Sequence, residues 1–179
     1  MGVLLYLGIM GAGQLLYPLQ YKELAESYAA AYDLEPELFY AVIKCESNFD
    51  PRALSDAGAM GLTQLTPETF TWVQTKTGET LPNEALWVPE VALRYGAYLL
   101  DMHYKEFGNT RTVLAAYHAG RGRTGQWLEE QGLTKGDTVG DIPYADTDGY
   151  VSRVTRTAKA YRFFYPRFRT RSTANRYVF

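Results

Sequence analysis

The feature that most constrains this chain is a single acidic residue standing where a helix should present an apolar one. Phe39, Val42 and Ile43 recur at the three- and four-residue spacing that lines one helical face. Glu46 continues that face, four residues beyond Val42 and three beyond Ile43. A carboxylate buried there loses hydration, which favours its neutral form and lifts its proton affinity toward the range a general acid needs. The alternative is that the helix already ends at Ser47-Asn48, ahead of Asp50-Pro51, and that Glu46 points into solvent. The residues that follow favour a built site. Gly58 and Gly61 let the main chain turn tightly and be approached closely. Gln64 offers an amide donor and acceptor, and Thr66-Pro67 reads as an N-cap and first helical position, with Glu68 well placed at the helix start. The stretch from Ala41 to Thr69 is therefore predicted to be helix, turn-rich hairpin, helix.

The rest of the chain supplies further helices. Pro18 to Tyr32 carries Leu24, Tyr28 and Ala31 on one side, and Asp33-Leu34-Glu35-Pro36 breaks it and starts the Glu46 helix. Pro67 to Thr77 reads as a short helix and Gly78 to Pro89 as a loop. Val91, Tyr95, Tyr98, Leu99 and Met102 mark a long helix in which Gly96 suggests close packing on another backbone, and in which His103 reads as structural. Asn109 caps the next helix, lined by Val113, Leu114 and Tyr117 and ended by Gly120, and Trp127 sits on a short helical turn. Thr134 to Gly140 is a polar connection. The last helix runs from about Thr147 to Tyr165, with Tyr150, Val151, Val154, Ala158 and Tyr161 inward and Arg153, Arg156, Lys159 and Arg162 on a solvated cationic face. At 179 residues, 46% hydrophobic and without an internal repeat, the chain is long enough for one domain with a sizeable core.

Charge and cysteine usage narrow the function classes. A net charge of −2 gives no global reason to expect a nucleic-acid partner. One cysteine precludes an internal disulfide, and no Cys/His cluster has metal-ligand spacing, so neither metal nor cofactor is expected. Cys45 beside Glu46 invites a nucleophile reading, but a free cysteine among helical core positions is ordinarily a small hydrophobe. Residues 1–17 carry no charge and read as an N-terminal hydrophobic anchor or signal segment rather than a soluble helix, although glycines and Pro18 interrupt the run and a basic leader is missing. Either export reading places the rest outside the cytoplasm. Residues 166–179 form a basic C-terminal tail with Arg167, Arg169, Arg171 and Arg176, suited to anionic wall polymers or simply solvated.

Three segments in order carry a specific resemblance. ESNFDPRALSDAGAMGLTQLTPET, AAYHAGRGRTGQW (Ala115 to Trp127) and IPYADTDGYVSRV (Ile142 to Val154) resemble the soluble-lytic-transglycosylase-type catalytic domain of the lysozyme-like superfamily. That resemblance implies a mainly α, single helical domain over residues 18–165, with a small β-hairpin flanking the active-site cleft. It implies a monomeric, extracytoplasmic enzyme acting on peptidoglycan glycan strands. The bond cleaved would join N-acetylmuramic acid to N-acetylglucosamine, leaving 1,6-anhydromuramic ends. It further implies that Glu46 is the catalytic acid and then base, that Ser47 and Gln64 bind the saccharide, and that Tyr117 and Tyr150 orient Glu46 or the substrate, with core packing as their alternative. His118, counted with these substrate-binding residues, stands where the family pattern has asparagine, Thr63 and Thr66 replace two methionines, and Asp146-Thr147-Asp148 replaces the usual E-T-x. Two other readings stay open here: a hydrolase in which Asp56 positions water, and a glycan-binding protein without activity.

Overall fold

The computed structural model describes residues 2–171. Its helices are α1 (Gly2–Leu16), α2 (Lys22–Ala31), α3 (Pro36–Ser47), α4 (Pro67–Thr77), α5 (Pro89–Phe107), α6 (Thr110–Ala119), α7 (Arg121–Glu130) and α8 (Ala145–Phe164), with 3-10 turns at Asn83–Trp87 and Pro166–Arg171. Prolines open α3, α4 and α5 at the position where a missing N–H costs nothing, and Gly78, Gly108 and Gly120 close α4, α5 and α6. Thr66 caps α4 by accepting from Thr69 N, and Asn109 caps α6 by accepting from Arg111 N.

Helix α3 is central. Leu38 through Ile43 are all fully buried, so the helix is apolar on every side rather than along one stripe, and α2 and α8 wrap it. With α5 and α6 these helices enclose the main core. A smaller second core gathers Met60, Leu65, Phe70, Val73, Leu86, Tyr95 and Leu99 beneath α4. Tyr117 packs against both, which places it on the seam between the two lobes.

The expected hairpin is not present among the described residues. Leu54 pairs antiparallel with Met60, and Met60 with Leu65, each as an isolated bridge. Left-handed residues at Gly58, Gly61 and Gln64 turn the chain again before a second rung can form. The turn stack is fixed to the second lobe by close approach. At Gly61, φ is +73° and a Cβ would stand 2.1 Å from the carbonyl oxygen of Leu86. Gly61→Ala is therefore expected to destabilise the protein by about 3 kcal/mol, through both strain and overlap, as read from denaturant midpoints. Gly96 is closely packed, but against a side chain and not the backbone expected: a Cβ there would meet the Thr63 side chain at 2.5 Å.

Two further expectations change. The short turn at Trp127 is a ten-residue helix, and the loop after α4 folds into the 3-10 turn that buries Leu86. Helix α1 meets α8 at its last turn, where the Gln14 side chain donates to Phe164 O at 3.2 Å, and Tyr17, just beyond the helix, stacks on Phe164. Leu4, Leu5, Leu7, Ile9, Leu15 and Leu16 are exposed. No helix among the described residues is long and apolar enough to cross a membrane. The first part of the basic tail is packed, with Phe168 buried against Tyr40 and Arg167 paired with Glu26. Residues 172–179, with Arg176, lie outside the described residues.

Candidate active site

Glu46 sits in the last turn of α3, half-buried, and the tyrosine of α8 reaches it. Tyr150 Oη donates to Glu46 Oε1 at 2.6 Å across a sequence separation of 104 residues. Burial dominates the carboxyl's chemistry and pushes its pKa up to about 7; the Tyr150 hydrogen bond and the nearby Arg153 charge pull the other way. Part of the residue's surface stays open while its carboxyl end is closely surrounded, the condition in which an acid keeps its proton near neutrality yet remains within reach of substrate. Tyr150 is 2% exposed, so its hydroxyl has little access to water and is committed to the carboxylate.

The main chain beside Glu46 is held in unusual geometry. Asn48 and Phe49 follow it at φ 48° and 67°, both left-handed and neither glycine. Ser47 stabilises that bend: its hydroxyl lies 2.9 Å from Leu62 O and 3.2 Å from Ile43 O, and accepts the Phe49 amide at 3.1 Å. Gln64, also left-handed, donates its amide to Ala53 O and Gly61 O, each at 3.0 Å. Both polar residues assigned to saccharide binding thus direct their donors to the protein's own carbonyls, which leaves acceptor oxygens as what they can offer a ligand. Thr63 Oγ1 donates to Ala92 O on α5, while Thr63 O accepts from Tyr117 Oη at 2.8 Å.

Tyr117 stands between Glu46, whose charge reaches it, and a groove of about 370 Å³ lined by Glu68, Trp72, His103, Tyr117 and Arg121. Arg121 lies over the Trp72 ring and forms a two-point ion pair with Glu106. A larger cavity of about 720 Å³, between the start of α6 and the middle of α8, includes neither Glu46 nor either tyrosine. His118, exposed at the end of α6, stacks on Tyr150 with ring centroids 4.5 Å apart and shares a 3.0 Å hydrogen bond with Thr147. The structure therefore brings Glu46, Tyr117, Tyr150 and His118 together. It adds Thr147 and Arg153, which the sequence reading did not single out for the site. Arg153 was legible in principle, since three residues along a helix from Tyr150 is a neighbouring position, and its guanidinium lies 5.9 Å from that ring.

Asp56 is exposed on its turn, and Cys45 has its thiol pKa raised by burial, so no activated thiolate stands beside Glu46. No group of three His, Cys, Asp or Glu residues that could hold a metal occurs among the described residues.

Tyr150→Phe is expected to lower turnover about tenfold through lost orientation of the acid. Because the hydrogen bond favours the carboxylate, its loss should also move the alkaline limb of the rate profile to higher pH. An unshifted limb would reduce Tyr150 to packing.

The family described as Transglycosylase SLT domain matches residues 23–139, a span that holds Glu46, Tyr117 and His118 but not Tyr150. The soluble lytic murein transglycosylase of Escherichia coli K12 is 32% identical over 154 residues, covering 83% of this chain and 24% of that protein. The crystal structure of the 70 kDa soluble lytic transglycosylase from Escherichia coli superposes with a TM-score of 0.76 at 28% identity, over 85% of this chain and 25% of that one. An inactive glutamate-to-glutamine mutant of lytic transglycosylase Slt from Pseudomonas aeruginosa gives 0.73 at 30% identity, over 84% and 25%. The chain spans about a quarter of the length of the curated relatives it matches.

Proposed function

This chain belongs to the Transglycosylase SLT domain family, and from that membership we propose that it is a peptidoglycan lytic transglycosylase in which Glu46 acts first as acid and then as base. The observation that carries the reading is the 2.6 Å hydrogen bond from Tyr150 to a carboxyl whose pKa is pushed up to about 7. Protonated Glu46 gives its proton to the glycosidic oxygen between N-acetylmuramic acid and N-acetylglucosamine as that bond breaks. The 2-acetamido group of the muramyl residue assists at the anomeric carbon. Glu46, now a carboxylate, takes the proton of the C6 hydroxyl while that oxygen bonds to the anomeric carbon, closing a 1,6-anhydro ring and restoring the acid. No second enzymic carboxylate is needed, because the substrate supplies the nucleophile. Holding the C6 oxygen against the reacting carbon and keeping water away provides the remaining catalysis by position.

The groove beside Tyr117 suits a glycan strand, with Trp72 and Tyr117 as apolar surface and Glu68 and Arg121 as polar groups at its walls. Substrate of this kind places the protein outside the cytoplasm, and the exposed apolar surface of α1 serves as its attachment to the envelope membrane. Arginines of the C-terminal tail would add attraction for anionic wall polymers. Digestion of purified peptidoglycan followed by mass spectrometry tests the reaction. Anhydro-ended muropeptides are expected; products heavier by one water would instead mark hydrolysis, and binding without release would mark a non-catalytic role.

A further inference from the structure

His118 is more closely built into the site than its exposure suggests. Its ring lies at 29° to that of Tyr150, its Nδ1 is held by Thr147 Oγ1, and Tyr150 in turn grips Glu46. The charged and titratable groups facing it are Tyr150, Asp146 and Arg153, all from α8, and Glu46 is reached through Tyr150. We infer that His118 is a positioning residue that acts on Glu46 through Tyr150, and that its protonation sets the acid limit of turnover. The inference rests on the double role given to Glu46 above.

The physical chain is short. A neutral imidazole stacked on Tyr150 fixes the plane of the phenol and so the direction of its O–H. An imidazolium in the same place sets a positive charge over that ring. The phenol becomes a stronger donor to Glu46 and the added charge favours the carboxylate, so Glu46 loses proton affinity. A carboxylate of lowered affinity is a poorer acceptor for the C6 hydroxyl proton, which slows the second half of the reaction. Partial desolvation holds His118 below its ordinary range, with Asp146 raising and Arg153 lowering its affinity. The switch therefore operates on the acid side of neutrality and leaves the resting enzyme with a neutral ring.

The test compares the pH dependence of kcat on peptidoglycan for the unaltered protein, His118→Asn and His118→Phe, alongside the NMR titration of the imidazole. The chain's other histidine, His103, is buried with its pKa pushed down to about 4, so the two signals are separable. Phenylalanine keeps the stacked ring but neither titrates nor bonds Thr147. It should keep more of kcat near neutrality than asparagine does while abolishing the acid limb; asparagine loses the stack as well and should fall about tenfold, also without that limb. In the unaltered protein the limb should coincide with the His118 titration. The same acid limb in all three proteins, or a His118 titration away from it, overturns the inference. Product mass separates this from the reaction itself. Reducing ends in place of anhydro ends would remove the lytic reading, while the comparison of limbs would still decide the part His118 plays.

Discussion

Replacing Glu46 with glutamine should lower kcat/KM for peptidoglycan by at least about a thousandfold while leaving the protein folded, and above pH 7 more stable than before. General acid or base assistance contributes about 10²- to 10⁴-fold, and here one residue is assigned both tasks. The amide keeps the size of the carboxyl and still accepts from Tyr150, so what is lost is the transferable proton. The sign of the stability change follows from the raised pKa. Between about 4.5, the ordinary value, and about 7 the folded carboxyl keeps a proton that the unfolded chain has released. Over that window the folded state binds more protons, so stability falls as pH rises, by up to about 3 kcal/mol once both forms are ionised. Glutamine has no such penalty. Melting curves at pH 5 and pH 8 should therefore converge more closely for Glu46→Gln than for the unaltered protein. Activity lost together with stability at pH 8 would make Glu46 a structural residue.

What could be read in the sequence was what depends on neighbours along the chain. The caps at Thr66 and Asn109 followed from local chemistry and both are present, whereas the close packing at Gly96 is against the Thr63 side chain and not against a backbone. Glu46 was legible because a carboxylate at helical spacing behind Val42 and Ile43 conflicts with the pattern around it, and such conflicts gather at functional sites. The turn after it misled because glycine spacing gives the freedom to turn without saying how soon the chain turns again; left-handed Gln64 ends the pairing after single bridges. That the donors of Ser47 and Gln64 hold the Leu62, Ala53 and Gly61 carbonyls could not be read in advance, because only the folded turn brings those carbonyls near. The reading of Arg162 as part of a solvated face needed the largest correction, since its partners are more than a hundred residues away.

Arg162→Met should destabilise the protein by about 3–5 kcal/mol at pH 8, the expected penalty for stranding a buried charge. Arg162 Nε donates to Glu37 Oε1 at 2.7 Å and its Nη2 to Glu35 Oε2 at 3.0 Å. Those carboxylates are 1% and 5% exposed. Burial, then the charge of Glu37, pushes the pKa of Glu35 up to about 7, and Arg162 is the group that opposes the rise. Without the guanidinium, two acids face each other in the protein interior and the folded state must bind protons to survive. The loss should therefore be small near pH 5, where Glu35 is already protonated, and grow steadily through pH 7. Adding Glu35→Gln should recover much of it. A loss equal at both pH values would mean that the aliphatic stem, not the charge, is what α8 contributes there. The position of the cluster gives the result a functional consequence. It joins the first turn of α3 to the last turn of α8, while the Glu46–Tyr150 hydrogen bond joins the opposite ends of the same two helices. One helix pair is thus pinned at both ends, by an ion cluster at one and by the proton-transfer site at the other. Because the pins are separate, Arg162→Met assayed well below its melting temperature should keep the wild-type pH profile of kcat, and only the temperature at which activity disappears should fall.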